Sequence, residues 1–177
     1  MKNYYVLFIK TGVEEKILQV LKMRLDSSLF FPFIPKREKV FKRGGKVFLE
    51  SEICFFGYIF IESELSPDDF AVRIIPYIRM FDEIYRILSY SGKNDIALKE
   101  QEIISLKSLY GINYCIEKSV GFIEGEKIRV NSGPLVGKES MIKKINRHKR
   151  EAIIEINFMG SLRYISVELE IIEKLKS

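Results

Sequence analysis

The chain has 177 residues, 47% of them hydrophobic, with 13 phenylalanines, 9 tyrosines and no tryptophan, a composition that can bury a real core and excludes a disordered chain. Its net charge is +5, and residues 118–177 hold 12 of the 29 basic side chains against 8 of the 24 acidic ones, which puts most of the excess in the last third. Cys54 and Cys115, far apart in apolar surroundings, suit reduced buried thiols better than a disulfide framework or a metal site; the apolar run Tyr4–Ile9 is too short for a signal-peptide core or a membrane span, so a cytoplasmic protein is expected.

Tyr4–Ile9 is rich in β-branched and aromatic residues and runs into Lys10-Thr11-Gly12, which predicts a buried strand and a turn. Thr11 and Glu14 have capping-box spacing, and Ile17, Leu18, Leu21 and Leu25 give one apolar face to a helix ending near Arg24. Residues 29–35 are expected to be extended. Gly44-Gly45 between Val40–Arg43 and Lys46–Leu49 signals a tight β-hairpin. Ile53–Ile61 reads as a central strand, and Ser66-Pro67-Asp68-Asp69 starts a second helix with serine as cap and proline in the first turn. Ile84–Tyr90 predicts another strand, and Lys99–Leu109 a third helix with Ile103, Leu106 and Leu109 on one side. This order favours an α+β fold, with helices over a largely antiparallel sheet, for residues 1–110.

Residues 111–121 lack a clear period and read as a linker. Beyond them, alternation at Ile128/Val130, Ala152/Ile154/Ile156 and Ile165/Val167/Leu169/Ile171 predicts four or five short strands over 122–177, separated by turns at 131–137, 146–149 and 159–161, and hence a small all-β barrel.

The chemistry of a catalyst is missing from the pattern. There is no phosphate-binding glycine loop, no metal-ligand spacing among cysteine and histidine, and a single histidine, His148, inside a basic turn. A non-enzyme without cofactor or metal is expected.

The run Gly125-Glu126-Lys127-Ile128-Arg129-Val130-Asn131-Ser132-Gly133-Pro134-Leu135-Val136-Gly137 resembles the KOW motif, in which Gly133, Pro134 and Gly137 form the loop. Upstream, Tyr5-Val6-Leu7, Thr11–Lys16 and Phe55-Phe56-Gly57-Tyr58-Ile59-Phe60-Ile61 resemble, in order and spacing, the landmarks of the NusG amino-terminal domain. The resemblance covers nearly the whole chain. It implies a NusG-type domain followed by an SH3-like KOW barrel. The family usually has tryptophan where Tyr4 stands and proline where Phe56 stands, so the chain looks like a specialised paralogue, most similar to the LoaP-like antiterminators.

The resemblance also implies partners. The amino-terminal domain of the family docks on the clamp helices of the largest RNA polymerase subunit, and Phe8, Phe55, Tyr58 and Phe60 match positions lining its apolar depression; periodicity alone reads the same four as core. The β-hairpin carries Lys36, Arg37, Lys39, Lys42, Arg43 and Lys46 against Glu38, which suits upstream DNA or a solvated edge. Lys138, Lys143, Lys144, Arg147, His148, Lys149 and Arg150, joined by Arg163, suit phosphate contact with nascent RNA, expected as a hairpin, or a solvated turn. Many family barrels instead bind ribosomal protein S10 or Rho, which keeps open a general elongation factor, and KOW modules on ribosomal RNA give a third reading. Residues 150–172 alternate in two-residue steps, so strands are expected there rather than a helical hairpin that masks the docking face. A monomer acting away from membranes, promoting processive antitermination, is the expectation.

Overall fold

The computed structural model describes residues 2–90 and 95–175. In chain order the elements are β1 (Asn3–Ile9), α1 (Glu14–Arg24), β2 (Phe31–Phe33), β3 (Lys36–Arg43), β4 (Lys46–Ile53), β5 (Tyr58–Ser63), α2 (Pro67–Ile78), β6 (Ile84–Ile87) and α3 (Glu100–Lys107). They continue with β7 (Cys115–Ile116), β8 (Ser119–Glu124), β9 (Lys127–Ser132), a 3-10 turn at Glu139–Met141, β10 (Ile142–Asn146), β11 (Glu151–Phe158) and β12 (Ser161–Leu175). The architecture is α+β, as the pattern predicted. The chain divides into two compact units: Met1–Ile34, Phe55–Ile103 and Phe158–Gly160 form unit 1, and Pro35–Cys54, Ile104–Asn157 and Ser161–Ser177 form unit 2.

Unit 1 is built on an antiparallel sheet in the order β2-β5-β1-β6. Because successive side chains on a strand point to opposite faces, the register of Leu7 with Ile59 and Phe8 with Tyr58 sorts the sheet into two surfaces. One carries Tyr5, Leu7, Ile9, Ile59 and Ile61, all buried, and receives α2 through Phe70, whose ring stacks on Tyr5 at 3.6 Å and meets Phe30 edge-on at 5.6 Å. Such ring pairs contribute about 1 kcal/mol beyond the area they bury. The other surface carries Tyr4, Val6, Phe8, Tyr58 and Phe60.

The helices follow their caps. Ser66 Oγ accepts the amide of Asp69 at 3.2 Å, Pro67 opens α2, and Asp68 and Asp69 sit in its first turn, where acids meet the positive end of the helix. The capping box expected from Thr11 and Glu14 does not form: Val13 is the N-cap of α1 and makes no side-chain cap bond, since the Glu14 carboxylate turns toward two glycine amides instead. The strand expected over 84–90 stops at Ile87, although the Leu88 amide still donates to Val6 at 2.8 Å and the Tyr90 hydroxyl is held by Glu102. Ile103, Leu106 and Leu109 are buried as the third helix predicted.

Unit 2 contains the β3–β4 hairpin and most of the carboxy-terminal strands. Gly44 and Gly45 take φ of 58° and 75°, which lets the chain reverse in two residues with Arg43 opposite Lys46. β3 lies between β4 and the short parallel strand β7, and Lys118 donates its amide to Glu38 at 2.7 Å. The stretch expected as a linker, 111–121, thus contains β7 and the start of β8.

The remaining strands form one sheet in the order β10-β11-β12-β8-β9, with β12 parallel to β8. Ala152, Ile154 and Ile156 on β11 and Ile165, Val167 and Leu169 on β12 are buried as the two-residue alternation predicted, whereas Ile171 at the end of that run is only half-buried and Glu168, of the other parity, is buried as well. The Gly133-Pro134 loop leads from β9 toward the 3-10 turn. Gly133 has φ of 92°, and a Cβ there would lie 2.5 Å from the Lys118 carbonyl oxygen and 2.6 Å from Ser119 Cα, so only glycine fits. Ser119 Oγ then accepts the amide of Leu135 at 3.2 Å, and Lys138 Nζ donates to the Pro134 carbonyl at 2.8 Å.

Candidate functional site

Two surfaces gather the residues singled out from the sequence, one in each unit. In unit 1 the pairing of Phe8 with Tyr58 on β5 and Arg86 on β6 builds an aromatic row across three strands. The Phe8 ring lies 5.6 Å from Tyr58 and 5.2 Å from Tyr85, with the Arg86 guanidinium 5.7 Å from its centroid. Phe8 and Tyr58 are half-buried and Tyr85 is 55% exposed, so the row offers ring surface at the sheet face. Phe55 and Phe60 differ: at 6% and 0% exposure they are core. They touch each other at 5.4 Å, and the ring of Phe158 lies 5.3 to 5.7 Å from Phe55, Phe60 and Tyr58. Tyr85 and Phe158 were not singled out in the sequence. Each sits on a β-strand, where an aromatic is an ordinary choice, so no local signal marks it.

Glu14 sets the backbone beneath this row. Buried at the start of α1, its carboxylate accepts the amides of Gly12 at 2.7 Å and Gly57 at 2.8 Å, tying the helix to the residue just before Tyr58. Glu14→Ala should leave two amides without their acceptor and lower thermal stability by about 2 kcal/mol, whereas Glu14→Gln, which keeps an acceptor oxygen, should cost less; a thermal melt of each variant separates the two.

In unit 2 the basic residues divide by environment. At the base of the β-hairpin, Arg37 Nη2 and Lys39 Nζ both bind Glu52, at 2.9 Å and 3.0 Å, so two of the six expected phosphate contacts are committed to an ion pair. Arg43 and Lys46 stand exposed at its tip, Lys36 is half-buried, and the side chain of Lys42 lies outside the described residues.

The β10–β11 turn is more open. Arg147, His148 and Lys149 are exposed, while Arg150 is half-buried in the left-handed region with φ of 52°. A register shift between Ile142 and Lys144 bulges β10 and leaves both Lys143 and Lys144 exposed, which a regular strand would not do for consecutive residues. Lys143 Nζ binds Glu155 Oε1 at 3.1 Å, and the Tyr164 hydroxyl donates to Glu155 Oε2 at 2.9 Å. The hydrogen bond from Tyr164 and then that from Lys143 hold the Glu155 carboxyl below its ordinary range; the same carboxylate pushes the Tyr164 phenol up. Arg163 is exposed, and Lys138 is half-buried against the Gly133-Pro134 loop.

Behind the turn, Glu168 on β12 is 2% exposed and its Oε1 has no hydrogen-bond partner. Burial pushes its carboxyl up, against the pull of the Val40 amide and Arg150. Raised above its unfolded value, this group contributes its stability in the protonated form, and that contribution fades as pH rises through the raised value. Glu168→Gln should therefore melt like wild type near pH 4 and above it at pH 7 to 8, by on the order of 1 kcal/mol; a gap independent of pH would exclude titration as the cause.

Burial raises both thiols, Cys54 to about 12, so neither is an active nucleophile at neutral pH. No cluster of three or more metal-ligating side chains occurs among the described residues, and no described helix is long and apolar enough to cross a membrane.

The family described as transcription termination factor NusG matches residues 2–107. The chain is 24% identical over 180 residues to the transcription termination/antitermination protein NusG of Halalkalibacterium halodurans, covering 98% of this chain and 99% of that one. It is 26% identical over 184 residues to the protein of the same name from Thermus thermophilus, covering 99% and 98%, and 27% identical over 184 residues to that from Buchnera aphidicola, covering 98% and 96%. With more than half of the chain matched to the family and relatives aligned over nearly its full length, this protein belongs to the NusG family of transcription factors.

Proposed function

We propose that this protein is a non-enzymatic elongation factor that docks on RNA polymerase and promotes processive antitermination, with its KOW module gripping nascent RNA. The functional division follows 1–110 for docking, 111–121 as connector and 122–177 as KOW module. Docking on the clamp helices of the largest subunit uses the Phe8–Tyr58 row, backed by Phe55 and Phe60. Bridging the clamp favours the closed, elongating polymerase because a ligand shifts an equilibrium by its differential affinity for the two states. The tip of the β-hairpin, with exposed Arg43 and Lys46, has the charge to bind upstream DNA phosphates.

The observation that carries the reading is the exposed array Lys144, Arg147, His148 and Lys149 around the β10–β11 turn, a surface suited to a polyanion. Tethered to polymerase, even weak contact with a transcript hairpin is strengthened by effective concentration. This is the mode of a specialised, LoaP-like paralogue working as a monomer in the cytoplasm, without a cofactor. The test is binding of the purified chain to core RNA polymerase and to RNA, comparing wild type with Tyr58→Ala and with Lys144, Arg147 and Lys149 reversed to glutamate. Loss of polymerase binding in the first and of RNA binding in the second supports the reading. Antitermination that survives the charge reversal would favour a general factor linking polymerase to Rho or a ribosomal protein.

A further inference from the structure

The outer face of β10, β11 and β12 carries more than charge. Tyr164 is 61% exposed and Leu162 56%, an aromatic and an aliphatic side chain facing solvent on the same strand as exposed Arg163. Tyr164 is held in place all the same: its hydroxyl donates to Glu155, which also takes Lys143, so one carboxylate fixes a ring and an ammonium side by side across three strands. A ring anchored at its hydroxyl edge and open on its surface loses little freedom when a planar group settles on it. The strand rise of about 3.3 Å per residue places Glu155 about 13 Å along β11 from Glu151, at the foot of the basic turn. Lys144 lies between them on the neighbouring strand, since it pairs with Ile153.

We infer that Tyr164 is a stacking platform for an unpaired base, and that the surface from the β10–β11 turn to β12 takes single-stranded RNA, such as the loop of a hairpin, rather than a fully paired stem. The inference rests on the RNA reading proposed above and sharpens it. In a paired stem the base faces are covered by their neighbours, and a side chain on a flat sheet reaches only phosphates and ribose; an unpaired strand presents both a phosphate row and free base faces. Charge complementarity selects the polyanion, through Lys144, Arg147 and Lys149, while the exposed ring selects its unpaired form. Glu155 is already committed to Tyr164 and Lys143, so the platform is sequence-tolerant.

The chain contains no tryptophan, which provides a direct probe. Fluorescence anisotropy on the full chain would compare an unstructured RNA of about 12 nucleotides with the same RNA annealed to its complement. Tyr164→Ala should weaken single-strand binding about tenfold and leave duplex binding unchanged, while Tyr164→Phe, which keeps the ring but frees it from Glu155, should lose only about twofold. Tyr164→Trp should bind at least as well and show its indole emission quenched by the single strand and not by the duplex. Unchanged single-strand affinity in Tyr164→Ala, or an unquenched indole at saturating RNA, overturns the inference. If reversal of Lys144 and Arg147 abolishes binding while Tyr164→Ala does not, stacking alone fails and the RNA reading stands. If wild type binds neither probe at low salt, both fail.

Discussion

Reversing Lys144, Arg147 and Lys149 to glutamate should weaken RNA binding by at least about a hundredfold at moderate salt and flatten its salt dependence by about two in the log-log slope, as three phosphate contacts on a single strand are lost. All three are exposed, so the change removes attraction and adds repulsion without disturbing a buried group. Lys143 is a different case. It binds Glu155 at 3.1 Å, and a glutamate in its place would face that carboxylate and disturb Tyr164 as well. Polymerase binding, which draws on the other unit, should be unchanged in the triple variant. A loss of affinity with no change in salt slope would mean that the substitutions act through structure rather than through phosphates.

Periodicity found the frame of the molecule because burial follows it. The helices at 14–24 and 100–107 and the strands at 151–158 and 161–175 lie over the apolar spacing that predicted them, and the helix at 67–78 starts at the cap that Ser66 and Pro67 signalled. Charge counting was a weaker guide. It scored Arg37 and Lys39 like Arg43 and Lys46, but Glu52, opposite Arg37 in the hairpin register, takes up the first two, and only the register reveals that. The sequence likewise offered consecutive Lys143 and Lys144 without the bulge that exposes both. Glu14 looked like half of a capping box because its spacing from Thr11 is right; its partners are instead the amides of Gly12 and Gly57, the second of them 43 positions away along the chain. The four aromatics proposed for docking resemble one another as residue types. Their burial separates the half-open Phe8 and Tyr58 from the closed Phe55 and Phe60, a distinction that arises in tertiary packing and not in residue type.

That distinction sets the expected result at the docking face. Tyr58→Ala should weaken polymerase binding by about thirtyfold, the size of a central aromatic anchor, and Phe8→Ala by a similar factor, because the two rings touch at 5.6 Å and present one surface. The truncation also removes contacts with Phe158, so a thermal melt must accompany it, and Tyr58→Phe, which keeps the ring, should retain both fold and affinity. Substitutions at Phe55 or Phe60 should register first as lost stability, about 3 kcal/mol for truncation of a buried phenylalanine, before any effect on binding can be read. At Phe158 the two readouts should part. Its ring rests on Phe55, Tyr58 and Phe60, so Phe158→Ala costs packing energy yet uncovers the rings that a partner would use. Lower melting temperature together with tighter polymerase binding is the expected pair of results. A variant that melts lower and also binds more weakly would mean that Phe158 supports the docking surface instead of covering it.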